Sequence, residues 1–144
     1  MMIWTIKNNS EEEKMDKKLI HSTEFVIRWI DQDGFHHVNN ATYFDYMQEA
    51  RFKWLLESNI FYDPKTLVPV LSHTECKFIR PMVYPATILV DTYFLGEDGK
   101  KNIFEHEIKD AVSGNIYAKG TATIVWFDVI NQCSIMTPEA ARIN

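Results

Sequence analysis

One long apolar helix, followed by nothing but strand-like segments joined by tight turns, constrains this chain more than any other feature. Tyr43, Tyr46, Met47, Ala50, Trp54 and Leu55 recur at spacings of three and four and make one apolar face. Asp45, Gln48, Glu49, Arg51 and Lys53 fill much of the remainder, with Glu49 and Lys53 in the favourable i,i+4 order for an ion pair. Asn39 or Asn40 is suited to cap the start, since an Asn side-chain oxygen accepts from a backbone N–H in the first turn. The pattern predicts a helix from about Ala41 to about Glu57, buried along most of its length.

The flanking segments read as strands. Phe25, Ile27 and Trp29 alternate within Glu24–Trp29. Leu67–Arg80 reads as a long strand, broken near Pro69. Ala86–Leu95 alternates, Gly96-Glu-Asp-Gly99 is a hairpin signal, and Asn102–Asp110 follows. Ser113-Gly114-Asn115 marks another turn before a final strand, Ile116–Phe127. One face of that strand carries Ile116, Ala118, Gly120, Ala122, Ile124 and Trp126, small in the middle, which leaves room for a helix to lie close. The expected architecture is α+β, one long helix wrapped by an antiparallel sheet of about five strands. Residues 1–20 are charge-rich and read as a tail; residues 21–144 read as a single domain.

Composition narrows the function classes. A chain of 144 residues with 46% hydrophobic and 13% aromatic residues can build a core. A net charge of −5 argues against nucleic acid and against anionic membrane surfaces as partners. Cys76 and Cys133 have no metal-like spacing and read as free thiols of a reducing compartment. The N-terminus lacks the apolar run of a signal peptide, and no segment reaches the roughly 18 consecutive apolar residues of a membrane span. A cytoplasmic protein with no membrane segment is expected.

The chemistry concentrates in Arg28–Arg51, RWIDQDGFHHVNNATYFDYMQEAR. An acidic side chain at a strand end, followed closely by a helix N-terminus, is a compact way to build acyl-transfer chemistry. The carboxylate attacks or activates water, and amides of the helix start hold the developing oxyanion. Asp33 is the candidate carboxylate and the backbone of Asn40, or of a neighbour, the candidate oxyanion donor. Against this, Asp33-Gly34 is among the commonest turn pairs, and from spacing alone a plain turn is the more frequent reading. His36 and His37 are candidates for assisting proton transfer but face different ways along an extended loop, so at most one is expected in a site. Asp31-x-Asp33-Gly34 starts like a calcium loop, but the later acidic ligands are missing, so no metal site is expected.

The element order and the Asp31-x-Asp33 turn resemble the hotdog fold, and the motif is similar to that of the 4-hydroxybenzoyl-CoA thioesterase-like family of acyl-CoA thioesterases. The matching residues are Asp31, Asp33, His37, Val38, Asn39, Asn40, Tyr43, Phe44, Glu49, Ala50 and Arg51. Phe78-Ile-Arg-Pro81, Ala118-x-Gly120 and Val125-x-Phe-Asp128 resemble later family segments, so that the likeness spans about residues 22 to 130. His36 stands where the family commonly has Gly. The resemblance reverses the odds at Asp33 and implies an acyl-CoA thioesterase. Asp33 would be general base or nucleophile and helix N-terminal amides at Asn40 the oxyanion hole, with no metal or other cofactor.

The same resemblance implies a homodimer or homotetramer with the site between subunits. His37, Glu49 and Tyr43 are supporting candidates. Glu49 is read equally as a solvated partner of Lys53, and Tyr43 as core or as lining for an acyl tunnel. Arg80, with Lys77 and Lys119, is the candidate contact for CoA phosphates. The rival readings are an acyl-carrier-protein thioesterase with the same chemistry, a non-catalytic acyl-binding hotdog domain, and a hotdog dehydratase, whose His–acid arrangement has no counterpart here.

Overall fold

A computed structural model describes residues 16–143. Among them run β1 (Lys18–Val26), α1 (Asn40–Glu57), β2 (Leu67–Phe78), β3 (Thr87–Asp98), β4 (Lys101–Asp110), β5 (Ile116–Asp128) and a short β6 (Cys133–Ile135). Single 3-10 turns occupy Trp29–Asp31 and Glu139–Ala141. Every strand pairing is antiparallel, in the order β1-β3-β4-β5-β2, with β6 added beside β5. One helix against a six-stranded antiparallel sheet is the expected α+β hotdog architecture, with one short strand more than expected.

The helix lies where the sequence puts it. Asn39 is the N-cap, its side-chain oxygen accepting from the Ala41 N–H at 3.2 Å. Tyr43, Tyr46, Met47, Ala50 and Leu55 are buried against the sheet. The small middle of β5 is what lets them sit there. A Cβ on Gly120 would come within 2.9 Å of the Met47 Cε and 3.1 Å of the Glu75 carbonyl oxygen, so only hydrogen fits. The core around this contact holds Ile27, Val38, Met82, Ile88, Val90 and Ile108. Each such side chain contributes roughly 1.5–3 kcal/mol by leaving water.

Four expectations change. The N-terminal strand begins at Lys18, inside the segment read as a tail; residues 1–15 of that segment lie outside the described residues. It ends at Val26, and Trp29 is 71% exposed in a turn rather than on an inward strand face. The cause is Asp31, whose buried carboxylate accepts from the Arg28 backbone N–H at 2.9 Å and bends the chain away from the sheet. The strand read as broken near Pro69 continues from Leu67 to Phe78, its irregularity falling between Leu71 and His73. Pro69 is tolerated because β2 is an edge strand, where a missing N–H need not break a ladder. Finally, α1 is not buried all round. Phe52 and Leu56 are 46% and 60% exposed, so one helix side has no cover from its own chain.

Candidate active site

The loop between β1 and α1 is built around two carboxylates that the sequence makes look alike and burial makes different. Asp31 points inward. It accepts from Tyr46 Oη at 2.5 Å, from Arg28 Nη2 at 2.9 Å and from Arg28 Nε at 3.2 Å. Burial alone would raise its pKa. The Tyr46 hydroxyl and the Arg28 amide and guanidinium outweigh that and hold it below the usual carboxylate value. The same pairing, with burial acting first, pushes the Tyr46 phenol far above its ordinary range. Asp31 is therefore a fixed anion that anchors the loop. Its backbone carbonyl also accepts the Asn39 N–H at 2.9 Å, which sets the start of the helix.

Asp33 points outward. Its Oδ1 accepts from the Phe35 N–H at 2.9 Å, and its backbone is tied to His37 and His36, the latter at a left-handed φ of 61°. Its second carboxylate oxygen has no partner among the described residues. Val38 is buried, and its N–H donates to the Met82 carbonyl at 2.9 Å, so the loop end is fastened to the segment between β2 and β3.

At that junction lies a cavity of about 220 Å3, lined chiefly by His37, Asn40, Tyr43, Phe78, Ile79 and Arg80. Four residues selected from sequence meet here: Asn40 from the helix start, Tyr43 one turn on, His37 from the loop and Arg80 from beyond β2. Tyr43 is held from both sides. Its hydroxyl accepts the Met82 N–H at 3.2 Å and donates to the Arg80 carbonyl at 3.5 Å, while its ring meets Phe78 edge-on with centroids 4.9 Å apart. Among the described residues no acceptor takes the Asn40 N–H, and the first turn of α1 carries no acidic side chain to compete for the helix N-terminus. An unpaired amide at a helix start can donate to an incoming anion. His36 is not in the lining.

Asp33 and Glu49 lie outside this lining. Glu49 is nine residues past Asn40 on the exposed side of α1, about 13 Å along the axis at 1.5 Å per residue. The Glu49–Lys53 pair expected from spacing does not form. Lys53 instead reaches Thr23 Oγ1 at 3.5 Å and sits over the Phe25 ring at 4.7 Å. An aromatic face and a hydroxyl across the gap to β1 hold the ammonium where a solvated carboxylate would not. Lys77 and Lys119 face one another in the β2–β5 register, Lys77 lying three residues before Arg80, which is just past the end of β2. Burial pushes the Cys76 thiol up to about 11, which leaves it a poor nucleophile. Among the described residues no three His, Cys, Asp or Glu side chains gather as a metal site would require. No helix there is long and apolar enough to cross a membrane.

Residues 27–142 match the model of the thioesterase-like superfamily. The chain belongs to that superfamily. It is 25% identical over 119 residues to the long-chain acyl-CoA thioesterase FadM of Escherichia coli, covering 76% of this chain and 85% of FadM. Its fold matches the PA2801 protein of Pseudomonas aeruginosa, provisionally assigned as a thioesterase, with a TM-score of 0.79 and 28% identity over 85% of this chain and 95% of that one. It also matches XC229 of Xanthomonas campestris, provisionally assigned as an acyl-CoA thioesterase, with a TM-score of 0.74 and 29% identity over 83% and 100% of the two chains. The hotdog assignment made from the Asp31-x-Asp33 turn and the strand order is thus borne out, and the chain is a thioester hydrolase.

Proposed function

We propose that this chain hydrolyses an acyl-CoA thioester to a free carboxylic acid and CoA. The observation that carries the reading is a cavity lined by Arg80 and by Asn40, whose N–H meets no acceptor among the described residues. In the proposed reaction Asp33 takes a proton from water as the oxygen attacks the thioester carbonyl, or attacks directly as a carboxylate. The carbonyl oxygen becomes an oxyanion held by the Asn40 amide, a contact worth roughly 3–4 kcal/mol of barrier. The C–S bond then breaks and CoA leaves as its thiolate, taking the proton held by Asp33 on the water route; on the nucleophilic route water then hydrolyses the acyl–Asp33 anhydride, releasing the acid and restoring the carboxylate. His37 and Tyr43 shape the wall of the cavity, and Arg80 meets a phosphate of the carrier.

The working unit proposed is a homodimer, alone or within a tetramer. Two observations support this. Among the described residues β2 is an edge strand with one side unpaired, carrying Val70, Leu71 and Phe78 at 41–44% exposure, the kind of edge that proteins cover. Asp33 also does not line its own chain's cavity, so a second copy is the natural source of the opposing wall, with Glu49 on the partner's helix near the carboxylate. A specific observation favours acyl carrier protein as the second reading of the carrier. Trp29, Ile30 and Phe35, on the loop leading to the cavity, are 71–83% exposed and suit a protein face.

The test is thiol release from a panel of acyl-CoAs and from matched acyl carrier proteins. Release from at least one acyl-CoA is expected. Release from the carrier protein alone would move the function to the second reading, and release from neither would refute both readings of the carrier.

A further inference from the structure

A second cavity, of about 190 Å3, lies at the other half of α1, between the helix and the sheet. Arg51, which opens on it, is eleven residues past Asn40, about 16 Å along the helix axis. Trp54, Leu55, Leu71, Phe104, Ile124 and Trp126 supply apolar walls. Gln48 and Phe52 are exposed at its edge, so it opens to solvent.

Arg51 makes a single hydrogen bond among the described residues, from Nη1 to His106 Nε2 at 3.1 Å. Among the described residues no carboxylate pairs with it, and none of those lining the cavity is acidic. The neighbouring acids of β4 are turned away, since Glu105 and Glu107 both bind Lys17 on the opposite face. His106 is fully buried, and its Nδ1 meets Thr92 Oγ1 at 3.0 Å. Burial, and then the charge of Arg51, push its pKa down to about 3, so the ring is neutral. It orients the guanidinium without balancing its charge. Burial lowers the Arg51 pKa to about 10, which leaves it a cation at pH 7. A guanidinium carries five donors in a planar fork matched to a carboxylate, and here one is used.

We propose that this cavity binds a carboxylate with a small apolar body, its anionic end on Arg51 and its body between Trp54 and Trp126. An apolar cavity of about 150 Å3 holds a benzene ring, so the space accommodates an aromatic or branched aliphatic acid. The acid arrives free in solution or as the distal end of a longer acyl group. The inference rests on the cavity alone and stands whether or not the chain acts on acyl-CoA.

The test titrates the full-length protein with phenylacetate and with phenylacetamide, read by calorimetry and by the indole N–H signals of Trp54 and Trp126. Phenylacetate is expected to bind and shift those signals, with the neutral amide at least about tenfold weaker, as a charge-assisted contact requires. Arg51→Met should abolish the preference for the acid, and Leu71→Trp should fill the cavity and abolish binding. Equal binding of acid and amide, or no shift of either indole at millimolar acid, overturns the proposal. The acid–amide comparison uses the unaltered protein and decides the matter even if Arg51→Met does not fold. Competition of phenylacetate with thioester turnover would assign the site to the substrate's distal end, and binding without competition to a free acid.

Discussion

His106 should make the protein sensitive to acid well above the range where carboxylates titrate. The ring sits fully buried on β4, between Arg51 and Thr92, with its pKa pushed down to about 3. In the unfolded chain the ordinary value is about 6.5. As pH falls below that value, the unfolded state binds a proton that the folded state refuses, so acid favours unfolding. The slope approaches about 1.4 kcal/mol per pH unit, and between pH 7 and pH 5 the loss sums to about 2 kcal/mol. His106→Gln keeps an acceptor for Arg51 and a donor for Thr92 but has no proton to exchange. Urea unfolding at pH 7, 6 and 5, at one protein concentration, should show the wild type losing about 2 kcal/mol more than His106→Gln over that span. The variant will be less stable at pH 7; the difference in slope is the readout. Parallel pH profiles would mean that the ring takes up its proton in the folded state, and the account of Arg51 and His106 would fall with it.

Asp33→Asn should remove most thioester turnover while changing stability by no more than about 0.5 kcal/mol, since its side chain is exposed and meets only the Phe35 amide. Glu49→Ala should cost less turnover, and the reverse order in folded proteins would put the catalytic carboxylate on the helix. Asp31→Ala should cost about 3 kcal/mol in chemical denaturation, because it strands the Tyr46 hydroxyl and frees the loop. Its folded pKa lies below the unfolded one, so this contribution is present near neutrality and fades as pH falls through the folded value; equal acid sensitivity in Asp31→Asn would refute it. Gly120→Val should cost roughly 1–3 kcal/mol by driving Met47 off the sheet, and Gly120→Val, Met47→Ala together should recover part of that. Light scattering at micromolar concentration should give a dimer or tetramer, and a fully active monomer would show the site complete within one chain.

The local features of the fold were legible because local forces set them. The Asn39 cap and the three-and-four spacing of Tyr43 to Leu55 fix the helix with little outside help. The small face of β5 announced the close helix before any coordinate did, since Ala118, Gly120 and Ala122 have no reason to cluster on a strand that packs large side chains. Failures came where a distant contact outbids local pattern. Phe25, Ile27 and Trp29 alternate well, yet Asp31 finds Tyr46, fifteen residues on, and the pair pulls Trp29 out of the strand. Glu49 and Lys53 are spaced for each other, yet Lys53 finds Thr23 and Phe25 on β1.

The site was legible to the same extent, for the same reason. Asn40, Tyr43, His37 and Arg80 meet because three of them belong to one loop-and-helix unit and Arg80 follows a strand whose neighbour in the core is that helix. Without the family resemblance, residue type and spacing offer no way to tell Asp31 from Asp33. They are two residues apart and alike in chemistry, and on an extended segment they would share one side; the 3-10 turn at Trp29–Asp31 is what turns them apart. Only knowing which side holds Tyr46 shows that Asp31 is the anchor and Asp33 the free carboxylate. Arg51 and His106 were harder still. Each reads as an ordinary surface charge or strand residue, and they are 55 residues apart. One signal was present. Within Phe104-Glu-His-Glu-Ile108 the period of two puts His106 on the same face as Phe104 and Ile108, and that inward face has no room for a solvated ring. A histidine so placed must be neutral and hydrogen-bonded, and a neutral histidine touching an arginine leaves that arginine's charge to be met by something else.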